Sequence, residues 1–353
     1  MKILYAGHFT SGNSGRSMKD ALARIDGVDI DEFDLDNYLP RGRSFKTRLA
    51  YKLLRPWQMA ELRRLLIQQA KYVQPDAIIT TKGSSIDAET IRKLQRDVAP
   101  VFNRWPDPSP HAFGPVLKDA VGVYDAVFST KRHHPSIWQS EYGYRNRCYH
   151  VPHGYCSDLH AYDTAPDETQ MDFDVVAIAS GRPQYYELIK DFHAALGGRK
   201  IRVALGGSRW EDYPGGLPDG FENIGERFGR AYTDCLRRGR IVLAPVMTGV
   251  MVNGQMKRGD EVTARTYQCA AARVFFIHTR TKEAQELYDE HSEVPMYSDG
   301  RELADKVLHF LDRPDERRSF ALAAHRRGVP AFSHDARAAE IHQLMRSIIA
   351  GEA

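Results

Sequence analysis

The stretch from Gly259 to Ser298 limits what this chain can fold into more than any other. It reads as a polar loop, a helix over residues 262–272 and a buried strand, Val274-Phe275-Phe276-Ile277. A second helix over 281–290 and a short strand over 294–297 follow. Strands that alternate with helices argue for an α/β fold with parallel sheets. A loop that opens directly into a helix leaves unpaired backbone N–H groups and a partial positive charge at the helix start, which suits a phosphate or diphosphate. Arg265 falls in the first turn, with Lys257 and Arg258 just upstream. Three cations at such a point read as a clamp for a diphosphate leaving group, or else as solvated arginines on a surface helix.

The alternation runs through the whole chain. Strands are expected at 2–6, 28–35, 76–81, 100–104, 125–130 and 148–151, then again at 174–179, 200–205, 221–224 and 240–245. Residues 156–172 between the two sets are acidic and poor in apolar residues, which marks a linker. With 353 residues the chain is long enough for two domains of ordinary size. They are expected at 1–155 and 173–334, with an amphipathic helix over 335–353 to finish. A helical region over 44–73 is expected to break at Pro56, where the ring cannot continue the preceding helix.

Apolar content of 42% and charged content of 27% fit a soluble globular protein. No apolar run approaches the ~20 residues of a membrane span, and the N-terminus lacks signal-peptide architecture. Four cysteines without metal spacing (Cys148, Cys156, Cys235, Cys269) suggest a reducing cytoplasm. Net charge is only +3, yet residues 41–72 hold nine Lys or Arg against one acid, Glu61. Leu49, Leu53, Trp57, Leu62, Leu65 and Leu66 interleave with them at helical spacing. That is either a solvated helix face or a basic amphipathic surface for an anionic membrane or an acidic acceptor, peripheral to the inner membrane face. Nothing in the charge pattern points to nucleic acid.

Several loops carry candidate chemistry. The first strand runs into Gly7-His8-Phe9-Thr10-Ser11-Gly12-Asn13-Ser14-Gly15-Arg16, whose small residues let backbone approach a ligand at a helix start. The proline-rich loop Trp105-Pro106-Asp107-Pro108-Ser109-Pro110-His111 follows the fourth strand, where α/β sheets bind ligands, and offers Asp107 and His111 as acid or base. Trp210, after Gly206-Gly207, either stacks on a base or caps its domain. Adjacent His133 and His134 diverge on a helix and do not form a metal pair.

Asp260 and Gln268 hold the Glu-x7-Glu spacing of retaining, nucleotide-sugar-using glycosyltransferases. The run Arg265-Thr266-Tyr267-Gln268, then Phe275-Phe276, Glu283, Tyr288, Glu293, Tyr297, Glu302-Leu303 and Lys306, resembles the CgeB-like (spore maturation protein) branch of the group 1 GT-B glycosyltransferases. This chain departs from the pattern with Gln268 for a glutamate and with Ala271 and Ala272 where a glycine is usual. Gln can still hydrogen-bond a ribose hydroxyl but carries no charge. The resemblance implies two Rossmann-like domains with parallel sheets facing a central cleft, and a C-terminal helix crossing back to the first domain. It assigns donor contacts to Gly15, Arg16, Arg182, Trp210, Arg265, Thr266 and Gln268; the lysine it expects after Arg182 is missing here, and Lys257 or Arg258 is read as supplying that charge instead. It brings His111 near the donor sugar and Asp260 into the catalytic set with Asp107 and His111.

The resulting expectation is a metal-independent, retaining transfer of a sugar from a nucleoside diphosphate sugar to an acceptor, with no cofactor and no metal motif at the site. Two alternatives stay open: a sugar-nucleotide epimerase or hydrolase on the same scaffold, and a non-catalytic nucleotide-sugar-binding protein.

Overall fold

The computed structural model describes residues 1–10, 12–38 and 45–352, and for 45–53 the backbone alone. The chain divides into two compact units, one of residues 1–152, 250–258 and 334–353, the other of 153–249 and 259–333.

The first unit begins with β1 (Lys2–Gly7), α1 (Ser14–Ala23), β2 (Asp29–Asp34), α2 (Phe45–Val73), β3 (Ala77–Thr81) and α3 (Ala88–Asp97). β4 (Val101–Trp105), α4 (Pro115–Val121), β5 (Ala126–Ser129), α5 (His134–Ile137) and β6 (Arg147–His150) complete its sheet. The order is β2-β1-β3-β4-β5-β6, all neighbours parallel. β3 and β4 bury every side chain, as strands covered on both faces must. β2, DIDEFD, is acidic and fully buries only Phe33, as befits an edge strand that must not recruit another chain.

The second unit holds α6 (Ser157–His160), β7 (Phe173–Ile178), α7 (Pro183–Ala195), β8 (Val203–Gly206), β9 (Phe221–Gly225), α8 (Gly229–Leu236) and β10 (Gly239–Ala244). A hairpin of β11 (Gly249–Val252) and β12 (Gln255–Arg258), which from residue 250 on belongs with the first unit, is followed by α9 (Ala264–Ala271), β13 (Phe276–Thr279), α10 (Lys282–Leu287) and β14 (Met296–Tyr297). α11 (Gly300–Leu311), α12 (Pro314–Gly328) and α13 (His334–Ile349) end the chain. The second sheet, β14-β13-β10-β7-β8-β9, is also wholly parallel.

One face of the first sheet packs on α1 and α13, through Ile3, Tyr5, Met18, Phe102, Ile341 and Met345. The other packs on α2, α3 and α4, through Leu62, Leu66, Ile91, Leu94 and Leu117. The second sheet is likewise covered on both faces.

Two local expectations are corrected. α2 does not break at Pro56 but runs through it. Loss of one N–H and the ring clash cost about 3 kcal/mol, and the turns beyond are anchored by buried Met59, Leu62, Leu66, Ala70 and Val73. That anchoring also removes Leu62 and Leu66 from any membrane-facing stripe. Residues 41–44 and the side chains of Leu49 and Leu53 lie outside the described residues. The second correction is the expected loop over 246–260, which contains the β11–β12 hairpin. Its turn, Asn253-Gly254, has both φ values positive, 50° and 78°, the preference of the tight turn that suits strand twist.

Candidate active site

In the second sheet the strands after β7 run outward one way to β9, and β10 restarts on its other side. The carboxyl ends of β7 and β10 therefore flank the point where strand order reverses, where open α/β sheets bind ligands. Arg265, in the first turn of α9, reaches into it. Its Nε donates to Ile178 O at 2.9 Å and its Nη1 to Pro245 O at 2.9 Å, one carbonyl from each strand end. Two charge-assisted bonds hold the planar guanidinium in one orientation.

Tyr185, in the first turn of α7, donates its hydroxyl to the same Pro245 carbonyl at 3.3 Å. Burial raises its pKa, and Arg265, Asp260 and Arg182 act on it through charge. Those three residues, picked out from sequence for separate reasons, are thus brought together around a tyrosine that sequence reasoning missed. Arg182 is exposed at the N-cap of α7. Gly181, just before it, leaves no room for a side chain: a Cβ would lie 2.6 Å from Arg209 O. Asp260 is held by its backbone N–H on Met247 O at 2.8 Å, and Gly259 permits this because a Cβ would meet the same carbonyl oxygen at 2.3 Å. Gln268 is half-buried on α9, three residues after Arg265 and so on the same side of the helix.

Other expected donor contacts are placed elsewhere. Thr266 is fully buried; its hydroxyl accepts from Thr263 N at 3.1 Å and pairs with His278 Nε2 at 2.8 Å, which fastens α9 to β13. Trp210 is 3% exposed and donates its indole N–H to Ala179 O at 2.7 Å. It caps its domain and offers no face to a base. Lys257 and Arg258 are exposed strand residues of β12, not part of the turn that opens α9.

In the first unit, Gly15 is buried in the first turn of α1 and donates its N–H to Asn13 Oδ1 at 2.8 Å. Arg16 points outward, half exposed, with Asp20 at 3.7 Å, so the structure does not gather it with the other candidates. Asp107 pairs with Lys82 at 2.7 Å, and Lys82 also lies 3.8 Å over the Phe113 ring. His111 packs edge-on against Tyr142 and Tyr144, at 5.1 and 6.0 Å between centroids. Burial lowers its pKa, and Lys118 and Lys257 push the same way, so the ring is neutral near pH 7. A neutral imidazole can accept a proton, whereas the Asp107 carboxylate is held in its ion pair with Lys82.

Three Asp-x-Asp spacings do occur, at Asp29-Ile30-Asp31, Asp34-Leu35-Asp36 and Asp172-Phe173-Asp174, and Asp31, Asp172 and Asp174 are engaged by Lys2, Arg238 and Arg240. Asp34 Oδ1 accepts from Asp36 N at 2.9 Å, and Asp36 binds His8 Nδ1 at 2.7 Å. Among the described residues no three His, Cys, Asp or Glu side chains stand close enough together to hold a metal ion. The four cysteines are free, and no helix among the described residues is long and apolar enough to cross a membrane.

Two parallel six-stranded sheets sandwiched by helices define the GT-B class of glycosyltransferase fold. Residues 182–343 match the family described as "Glycosyl transferase-like", so the chain carries a glycosyltransferase domain and is an enzyme of that type. HepE of Anabaena, solved in complex with UDP and glucose, superposes with a TM-score of 0.66 at 15% identity, over 98% of this chain and 100% of that one. Sucrose-phosphate synthase of Thermosynechococcus elongatus gives 0.67 at 15% identity, over 99% and 100%. At these identities the likeness is one of fold. No curated protein sequence matches the chain.

Proposed function

We propose that this enzyme transfers a sugar from a nucleoside diphosphate sugar to an acceptor, with retention at the sugar carbon and without a metal ion. The observation that carries the reading is Arg265, fixed on the carbonyls of Ile178 and Pro245 beside Arg182 and Asp260. As the bond between sugar and diphosphate breaks, negative charge grows on the departing diphosphate. Two arginines and the N-terminus of α9 oppose that charge in the role a divalent ion plays elsewhere. The guanidinium of Arg265 is already oriented, so little is reorganised at the moment of reaction. Retention needs no strong protein base, because the departing diphosphate can itself take the acceptor's proton. His111 and Asp107 are the candidates to orient the acceptor or the sugar. Gln268, on the same side of α9 as Arg265, is proposed to hydrogen-bond the ribose.

HepE of Anabaena was solved with UDP, which makes UDP the first nucleotide to try. The CgeB-like branch is the closer kinship we propose, on the run from Arg265 to Lys306. Leu54 at 52% exposure and Trp57 at 81%, next to Arg55 and Arg64, support a peripheral contact with an anionic membrane face. Sedimentation with anionic against neutral vesicles tests that contact, and equal binding to both rejects it.

The test of the transfer reading is thermal stabilisation by UDP, GDP, ADP and dTDP, each with and without magnesium. A nucleotide at ~100 times its dissociation constant adds about 2.7 kcal/mol. One nucleoside diphosphate is expected to stabilise the chain equally in EDTA, and Arg265→Ala with Arg182→Ala to abolish the effect. Stabilisation that requires magnesium, or that survives the double substitution, sinks the clamp. An incubation of donor without acceptor separates transfer from epimerisation, which forms product from donor alone.

A further inference from the structure

The second unit has a cavity at the amino ends of its strands. Met171 precedes β7, Gly239 and Arg240 open β10, and Phe275 precedes β13; all four line it. Ile178 and Pro245, which hold Arg265, lie at the opposite, carboxyl ends of the same strands. α12 adds Arg317, Arg318, Ala321 and Leu322, and the linker adds Glu168. The volume is about 150 Å³, the size of a cavity that holds one benzene molecule. Sites for larger ligands span roughly 300–1,000 Å³, so a nucleotide sugar is too big. The space opens between Ala165 and Arg318, both exposed, and ends on Phe275, Ala321 and Arg317, all buried.

Four guanidiniums, those of Arg240, Arg273, Arg317 and Arg318, line this space with one carboxylate, Glu168. Arg317 is 4% exposed; it donates to the carbonyls of Phe310 and Leu311 and to Glu168 Oε1. Arg318 shares that same oxygen at 3.0 Å. Burial lowers the pKa of Arg317, Glu168 counters it, and Arg240 and Arg318 push it down further. Asp174 and Asp315 pair with Arg240 and Arg318, but neither acid lines the cavity. Arg240 and Arg273 have capacity left. Each spends Nη1 on the protein, Arg240 on Asp174 Oδ1 and Arg273 on the Asp163 carbonyl. Their Nε–Nη2 edges make no hydrogen bond among the described residues, and that edge grips an oxyanion with two parallel bonds. Arg273 also stands in a left-handed backbone conformation, at φ +55°. It follows Ala272, the C-cap of α9, a place where glycine takes this conformation without strain. Strain kept at a cavity wall points to a task for the side chain there. Phe275, Ala321, Leu322 and Met171 supply apolar surface beside these cations.

We infer that the second unit binds a small organic anion, an oxyanion on an apolar body of about ring size, through the Nε–Nη2 edges of Arg240 and Arg273. This is a second site, apart from the donor clamp at the other ends of the same strands. It goes beyond the transfer reading and does not depend on it.

The test is the melting temperature of the full chain at constant ionic strength with benzoate, phenyl phosphate or benzamide. The first two carry the two kinds of oxyanion, carboxylate and phosphate, on the same ring. At least one of them is expected to raise the melting temperature, and benzamide, the neutral isostere of benzoate, is not. Arg273→Gly is expected to weaken that anion at least tenfold; glycine suits φ +55°, so the fold is kept. Arg265→Ala is expected to leave the anion shift as in the wild type. The absence of a shift with either anion overturns the inference, as does an equal shift with benzamide or one that survives Arg273→Gly. Loss of the shift in Arg265→Ala also overturns it, because the anion would then sit in the donor clamp. Should Arg273→Gly fail to fold, Arg240→Gln takes its place: the same tenfold loss is expected, and a surviving shift overturns the inference. UDP enters none of these measurements, so a failure of the transfer reading leaves them readable.

Discussion

Arg265 is fixed in position by two protein carbonyls before any ligand arrives. Lysine in its place keeps the charge but cannot span the Ile178 and Pro245 carbonyls together, having one ammonium where arginine has a planar fork. Arg265→Lys is therefore expected to weaken UDP binding by about 1.5–3 kcal/mol, the worth of hydrogen bonds to a charged group; calorimetric titration reads it, and a change below a few tenths speaks against the orientation. Gly207 sets a second constraint near the same strand ends. Its φ is +117°, and a Cβ would lie 2.4 Å from Ala179 O. Gly207→Ala is expected to cost about 2 kcal/mol or more, seen as a lower urea midpoint with unchanged slope. Single residues were unevenly legible in the sequence. Arg182, Asp260 and Arg265 stood out by type and spacing. Arg104, buried near the end of β4, did not, because a charged residue at the end of a strand reads as solvated. It lies on the sheet face covered by α1 and α13, the second from far along the chain, and no local pattern carries that information.

At the scale of the element, α2 carries a defect that can be removed. Pro56 is exposed and lies inside a 29-residue helix. Pro56→Ala restores one backbone N–H and relieves the ring clash, so a stabilisation of up to about 3 kcal/mol is expected in the urea midpoint. A loss of stability would mean the ring has a packing role. Periodicity made the strands and most helices readable, since each buries a face against the sheets. The break assigned to Pro56 failed because tertiary anchoring of residues 59–73 outweighs one missing bond. The β11–β12 hairpin was signalled by Asn253-Gly254, yet short polar strands such as Gln255–Arg258, exposed throughout, have no apolar alternation to betray them.

Across the whole molecule, burial holds several histidines neutral. His278, His150 and His160 are each lowered to about 4, and His134 to about 3, with burial the largest cause in every case. An unfolded histidine titrates near 6.5, so below that pH the unfolded chain binds protons that the folded chain refuses. The stability these groups protect is complete above pH 6.5 and is lost as pH falls toward 4, by about 1.4 kcal/mol per histidine for each unit. Glu302 behaves as a carboxylate should: Arg280 lowers it to about 2, and its contribution disappears between about pH 4.5 and 2. The urea midpoint is expected to be flat from pH 7.5 to 6.5 and to fall steeply by pH 5; a flat profile to pH 5 would mean the imidazoles are solvated. The two-sheet plan itself was readable, because two runs of alternating strands and helices flank an acidic linker.

α13 belongs with the first unit, where Ala338, Ile341 and Met345 share a cluster with Ile3, Met18 and Phe102. During synthesis, then, the half of the protein made first must wait for the half made last. Until the final helix leaves the ribosome, one side of the opening sheet is covered by α1 alone and keeps part of its apolar surface open, so the nascent chain offers chaperones a target for most of its translation. Stopping translation at Ser333 is expected to yield chains that bind such holdases and precipitate, although both sheets have been made in full.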